Sequence, residues 1–408
     1  MKTPLDGFAK MDKKVLVITS DYPPSPGIGS LNVSKLTKYL LKQGWDVLVF
    51  TAALPPKEIF STLPLEIPKR NVFYLPWPDN SKIKNRILYL LCGNIGWFFP
   101  AVKKGLELIK SFKPNIILAT SPHHISQLVA YKLSKNSRIP FISHLRDPWT
   151  IDPHFSKIRL TYVIGKLYEK RIFSSASAII VVSEGFADFY ALLSGRPVYV
   201  IHNGFDPEDF PSDMEIANIF TMVFAGSIYR GTRDVTPLLS ALRNLARKGI
   251  LKKFPIQIKL FLPDDDMEII IPQLNGYPEV KDFFKLHSWT SHSVVVQEEL
   301  KATLLLLPLE FNQSGWYFYS GKLFEYMGAR RPILCIGSKY NLAGKLVEKL
   351  GIGRNCETAE EVEEFLLREL KSFYLEYKTE EIEWEKVKEF SWENQARKIG
   401  EILEKYAR

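Results

Sequence analysis

No run of about 18 apolar residues, the length a membrane-crossing helix needs, occurs anywhere in the 408 residues. The opening MKTPLDGFAKMDKK holds no apolar core ahead of a cleavage site, so the chain is expected to be soluble and cytoplasmic. Cysteine is scarce. Cys92, Cys335 and Cys356 are odd in number and widely scattered, which leaves no paired spacing for metal or redox chemistry. Internal sequence repeats and low-complexity tracts are missing too. The net charge of +9 invites nucleic acid, anionic lipid or a phosphorylated substrate; no nucleic-acid motif accompanies it, so nucleic acid is set aside. What is present, 46% hydrophobic and 24% charged residues over this length, suffices for two domains, each with its own core.

KVLVITS at 14–20 is a continuous apolar strand, DYPPSPGIGS a loop, LNVSKLTKYLLKQ an amphipathic helix closed by Gly44, and DVLVFTA the next strand. In such a βαβ unit the loop faces the carboxyl edge of a parallel sheet, where ligands bind, so Gly27 and Gly29 line a cleft. A dinucleotide fingerprint needs a third glycine at position 32 and an acid closing the second strand. Asn32, Thr51 and Ala52 stand there, and NAD is disfavoured. Residues 76–108 mix Lys82, Lys84, Arg86, Lys103 and Lys104 with Tyr89, Leu90, Leu91, Trp97, Phe98 and Phe99. That mixture reads either as an interfacial segment for an anionic membrane or as core packing with snorkelling lysines. NIILAT at 115–120 then ends in SPHH, and PFISHLRDPWT gives a strand ending in Arg146 and Asp147. Both ends point to the same cleft, which makes His123, His124, Arg146 and Asp147 candidates for contacting an acceptor. Taken singly, His123 or His144 reads as a packing histidine; taken together, the group favours a site. A helix over 157–175 and strands at AIIVVS and VYVIHNGFD complete this half.

Periodicity lapses around FDPEDFPSDMEIANIF, placing a boundary near 206. TMVFAG, the loop SIYRGTRD and the helix VTPLLSALRNLARKG then restart the βα rhythm and set up a phosphate-ready helix start. After the strand IQIKLFL, the stretch LPDDDME carries Asp264 and Asp266 at the spacing of a metal-binding DxD. Loop aspartates are ordinarily turn formers, and no metal is expected. FFKLHSWTSHSVVVQEELKAT gives strand, turn and helix, and EFNQSGWYFYS at 310–320 a long aromatic loop. Its Trp316, Tyr317 and Tyr319 either stack on a ligand or cover the domain edge. Two periodic helices, AEEVEEFLLRELKSFYLEY and FSWENQARKIGEILEKYAR, close the chain.

The stretch SGKLFEYMGARRP, 320–332, lies between strands LLLLPL and PILCIG. Ser320 is a good N-cap, Gly321 bares the backbone, and the helix start is a dipole-backed anion site. A cation in that first turn, Lys322, opposes the macrodipole by roughly 0.3 to 1 kcal/mol unless an anion lies between them, and a phosphate would suit. Glu325, one turn on, leans back toward the start and can reach sugar hydroxyls beside that phosphate. The alternative is an ordinary strand-loop-helix with Lys322 and Glu325 solvated.

GKLFEYMGARRPIL resembles the donor-binding segment of the retaining, GT-B-fold glycosyltransferases of the large glycosyltransferase family 4, particularly the bacterial surface-polysaccharide branch. Four further stretches resemble the same branch in order: the PPxxGG-like loop with Ile28 for its first adjacent glycine, TSPHH with HLRDPW, IIVVSEG with IHNGFDPEDF, and SIYRGTRD. The resemblance implies an α/β fold of GT-B architecture, two Rossmann-like parallel-sheet domains facing across a cleft, with a C-terminal helix crossing back. The domains would be 1–205 for the acceptor, 206–385 for the nucleotide-sugar, and 386–408 for the returning helix. It further implies transfer of a sugar, with retention, from a nucleotide diphosphate-sugar co-substrate to a glycan or lipid-linked acceptor, without cofactor or metal. Glu325 is implied for the ribose, and Arg230 with Gly231 for the pyrophosphate. The donor side then comprises Gly27, Gly29, Gly226, Ser227, Arg230, Gly231, Ser320, Gly321, Lys322, Leu323 and Glu325, and the catalytic groups are Asp147, Arg230 and Lys322. Three positions depart from the pattern: Tyr317 replaces a glutamate that contacts the donor sugar, Ser227 an arginine, and Asp147 stands near a usual histidine. A nucleotide-sugar epimerase and a non-catalytic partner subunit are the alternatives; such epimerases carry a Gly-Gly-Glu-Glu-like segment that is missing here.

Overall fold

The computed structural model describes residues 13–25, 27–53, 63–77, 95–151, 159–211, 214–229, 231–376 and 382–408. They form two units, residues Met1–His202 with Trp392–Arg408, and Asn203–Ser391. The first is built on strands β1 (Lys14–Ile18), β2 (Asp46–Ala53), β3 (Val72–Pro76), β4 (Ile116–Thr120), β5 (Phe141–Leu145), β6 (Ala178–Val181) and β7 (Val198–Val200). They pair in parallel in the order β3-β2-β1-β4-β5-β6-β7. Every residue of β4, β5 and β6 is buried. Helices on both faces of a parallel sheet account for this, and for the unbroken apolar runs that announce these strands.

The helices of this unit are α1 (Ile28–Lys42), α2 (Phe98–Phe112), α3 (Ile125–Ser137), α4 (Arg159–Phe173) and α5 (Glu184–Ser194). The C-terminal helix Trp392–Tyr406 also belongs here and packs on α1. Trp392, Ala396, Ile399 and Leu403 join Val33, Leu36, Leu40 and Trp45 in one core. Burying each of the larger side chains contributes about 1.5 to 3 kcal/mol. Close approach of the two helices depends on Gly400, where an added Cβ would stand 3.2 Å from the Trp45 indole nitrogen.

The second unit holds β8 (Phe220–Ala225), β9 (Ile256–Leu262), β10 (Phe284–Ser288), β11 (Leu304–Pro308), β12 (Ile333–Ile336) and β13 (Gly353–Cys356), parallel in the order β10-β9-β8-β11-β12-β13. Its longer helices are α6 (Thr236–Arg247), α7 (Asp264–Asn275), α8 (His292–Lys301), α9 (Gly321–Ala329), α10 (Leu342–Leu350) and α11 (Ala359–Leu375). The periodic run at 359 starts on a full capping box, with Thr358 and Glu361 satisfying each other's backbone.

Two expectations change. LPDDDME is not a loop: α7 begins at Asp264, and three aspartates in its first turn complement the helix dipole. The basic, aromatic stretch splits as well. Trp97 has no exposure and lies 5.4 Å from the Phe50 ring as core, whereas Phe99 on α2 is 76% exposed. Lys104 sits 4.8 Å over Phe73 and 2.9 Å from Glu107. Lys82, Lys84, Arg86, Tyr89, Leu90, Leu91 and Cys92 lie outside the described residues.

Candidate functional site

Each sheet reverses its strand order once, between β1 and β4 in the first unit and between β8 and β11 in the second. Open parallel sheets bind ligands outside the carboxyl ends of their strands at such reversals. In the second unit the chain leaves β11, passes through 309–320 and enters α9. Ser320 holds the N-cap position, but its side chain makes no capping hydrogen bond. Leu323, Phe324 and Met327 turn into the core and fix how α9 lies on the sheet, so Leu323 is available to a ligand through its backbone only.

The Lys322 ammonium lies 3.0 Å from Glu299 Oε1 on α8 and 2.9 Å from Glu325 Oε1 on its own helix. His292 Nε2, at the start of α8, lies 3.1 Å from the same Glu325 oxygen. Both carboxylates are buried, Glu299 with no exposure and Glu325 at 7%. Neither reading of the segment included this partner: Lys322 and Glu325 are not solvated, and Glu299 supplies a counter-charge to the cation from within the fold. The electrostatics divide the two carboxyls. Burial raises Glu299 and the Glu325 charge adds to it, to about 8, against the pull of Lys322. Burial also raises Glu325, but Lys322 and His292 outweigh it and hold the group at about 2. Burial pulls His292 down, yet the Glu325 carboxylate leaves it above its ordinary value. Lys322 is raised in turn by Glu299 and Glu325, over the opposing effect of burial.

The loop after β8 runs beside this cluster. A Cβ on Gly226 would stand 3.2 Å from the Phe224 ring and 3.9 Å from Lys322 Cγ. Ser227 Oγ donates to Asp266 Oδ2 at 2.6 Å, and the Ile228 N–H donates to the same oxygen at 2.8 Å. Asp266 thus fastens the loop in place, the role of one half of the apparent DxD. Gly231 takes φ +84°, the left-handed region. Arg233 is buried: its Nε donates to Glu310 Oε1 at 2.8 Å, and its guanidinium covers the Tyr229 ring at 4.5 Å. Arg230 lies outside the described residues. Of the loop aromatics, Trp316 packs on Tyr340 at 5.6 Å and Tyr319 on Phe324 at 5.8 Å, while Tyr317 is 45% exposed.

In the first unit Gly27, at φ +104°, opens α1. Gly29 follows, its Cβ position 3.3 Å from the Pro122 ring and its carbonyl accepting from Arg146 Nη1 at 2.7 Å. Arg146 Nε also donates to the Ser121 carbonyl at 2.6 Å, and Nη2 is buried without a hydrogen-bond partner among the described residues. Burial lowers this guanidinium to about 10, with Asp147 and Asp21 opposing. Asp21 Oδ2 lies 3.9 Å from His123 Nε2, and burial raises its carboxyl despite His123 and Arg146. His123 and Arg146 therefore gather about Asp21. His124 does not join them. Its ring stacks on Trp149 at 4.7 Å, with Nε2 3.2 Å from the Pro148 carbonyl oxygen, and burial keeps it neutral, at about 3. His144 is likewise packed and held at about 3 by burial and Arg146. The segment after Asp147 is pinned by buried Glu169, which accepts from Thr150 N at 3.3 Å, Tyr190 OH at 3.1 Å and the Thr150 hydroxyl.

Sequence reasoning missed Asp21, Glu169, His292 and Glu299. Only Asp21 carried a local signal, as the first residue of the Gly-bearing loop after β1.

Known structures share this fold along nearly the whole chain. A glycosyltransferase from Rickettsia africae matches with a TM-score of 0.66 at 13% identity, covering 97% of this chain and 99% of that one. The Anabaena protein HepE, solved in complex with UDP, matches at 0.66 and 17%, covering 96% and 100%. Sucrose-phosphate synthase from Thermosynechococcus elongatus matches at 0.66 and 15%, covering 96% and 98%. The architecture of the chain is the two-sheet α/β one of GT-B glycosyltransferases. No curated protein matches the chain. Within the sequence, residues 32–209 match the model of the family described as Glycosyltransferase Family 4.

Proposed function

We propose that this chain is a glycosyltransferase that moves a sugar, with retention, from a nucleoside diphosphate-sugar to a glycan or lipid-linked acceptor in cell-surface polysaccharide synthesis. The observation carrying this reading is the Lys322–Glu325 pair in the opening turns of α9, at the reversal of the second sheet. A diphosphate at that helix start meets the positive end of the dipole and one ammonium, and Glu325 can accept from ribose hydroxyls. Family-model matching over 32–209 and the UDP complex of the similar Anabaena protein support the same class of donor. As the donor bond breaks, Lys322, Arg230 and the backbone of Ser320 and Gly321 stabilise charge on the leaving diphosphate, and a leaving-group oxygen accepts the acceptor's proton. Asp147 and the Asp21, His123 and Arg146 group of the first unit serve the acceptor. Positive charge for the phosphates comes from side chains, so the reaction runs without metal. Work at the inner face of an anionic membrane fits the exposed Phe99 with Lys103 and Lys110 on α2.

The test is calorimetric titration of UDP, GDP and ADP into the full chain, followed by turnover of the matching sugar donors. A donor consumed only with acceptor present supports transfer. Conversion of the donor sugar without acceptor would favour an epimerase, a reading that solved UDP-N-acetylglucosamine 2-epimerases of similar fold keep in view, at TM-score 0.58.

A further inference from the structure

Two buried carboxylates share the Lys322 ammonium, and only Glu325 belongs to the helix assigned to the diphosphate. Glu299 comes from α8, has no exposure, and keeps Oε2 buried without a hydrogen-bond partner among the described residues. The groups facing it are Lys322, Glu325 and the Tyr326 phenol on α9, with His292 from the first turn of α8 and Asp209 acting on His292. Two carboxylates and one ammonium leave a buried net negative charge unless a proton is bound, on His292 beside Glu325 or on Glu299 itself. His292 stands against Glu325 and acts on Glu299 only from a distance, and among the described residues Glu299 Oε2 has no hydrogen-bond partner.

We propose that Glu299 is a positioning residue that takes up a proton when a nucleoside diphosphate binds, and so holds Lys322 as a neutral hydrogen-bonding partner. The inference rests on the donor assignment above. An arriving diphosphate draws on the Lys322 charge and brings negative charge of its own close to Glu299. Both changes disfavour a second buried anion, and the proton comes from solvent. In the free protein burial and the Glu325 charge push the Glu299 carboxyl up to about 8. At pH 8 it is then about half ionised, and an upward shift on binding takes up to about half a proton. Glu299 touches no reacting atom.

The experiment titrates UDP into the full chain at pH 8 in HEPES, Tricine and Tris, whose ionisation enthalpies differ. The slope of observed enthalpy against buffer enthalpy gives the number of protons taken up. We expect about half a proton in the parent and close to none in Glu299→Gln, which keeps the shape and hydrogen-bonding of the side chain. Should that variant not fold, the parent alone decides, because uptake must grow from pH 7 to 8.5. Equal proton numbers in parent and variant, or none in the parent at any of these pH values, overturn the inference and leave the donor assignment standing. Failure of UDP to bind the parent at all overturns both.

Discussion

The Lys322 ammonium sits 3.0 Å from Oε1 of Glu299, a carboxylate with no solvent exposure contributed by a different helix. A cation at a helix start is by itself unfavourable by roughly 0.3 to 1 kcal/mol, which would make its removal mildly stabilising. The buried partners reverse the sign. Lys322→Ala takes the ammonium from both carboxylates, leaving Glu325 with His292 and Glu299 with no ion-pair partner among the described residues, and breaking such a pair costs about 3 to 5 kcal/mol. Because Glu299 can hold a proton, the low end applies. Urea unfolding should show the loss, and a midpoint equal to or above the parent's would contradict it.

The two carboxyls shape the pH dependence of stability in opposite ways. Glu299 is raised from 4.5 to about 8, so the stability it contributes is full below pH 4.5 and lost as pH climbs through its folded value. Each pH unit in that window costs at most about 1.4 kcal/mol. Glu325 is held at about 2, so its contribution is present above its ordinary 4.5 and lost only as pH falls through the folded value. Raising the pH from 6 to 8.5 should therefore lower the Tm of the parent more than that of Glu299→Gln. Parallel Tm curves would count against the assignment.

Asp266 anchors the loop assigned to the donor phosphates through Ser227 and the Ile228 N–H. Asp266→Ala leaves the buried Ile228 N–H unpaired, at about 1 to 3 kcal/mol of stability, and frees the loop. UDP affinity should fall with it. Unchanged UDP affinity in a variant that is destabilised would confine Asp266 to packing.

Turnover should survive EDTA, since Lys322 and the α9 start carry the positive charge in the proposed step. Activity lost on chelation and restored by magnesium or manganese would show that charge to be incomplete.

The central strands were readable because a strand buried on both faces must be apolar along its length, as LLLL at 304–307 and AIIV at 178–181 are. The edges were less so. β13, GRNC, is polar, and its pairing depends on Gly353, where a Cβ would meet the Ile333 carbonyl at 1.9 Å. At the site, Lys322 and Glu325 were legible from one helix start, one turn apart. Their partners were not, since Glu299 and His292 come from a helix that ends before β11, and only the packed α8 and α9 bring them together. A first-turn lysine read alone therefore pointed to an outside anion and gave no sign of the internal one on α8.

The most direct measurement is calorimetric titration of UDP into Glu325→Gln beside the parent. Glu299 remains to compensate Lys322, so the variant should stay folded. Loss of the charged acceptor should weaken UDP binding by roughly 1.5 to 3 kcal/mol, the range for hydrogen bonds to charged groups. If the folded variant binds UDP as tightly as the parent, the ribose is not at Glu325 and the donor site lies elsewhere.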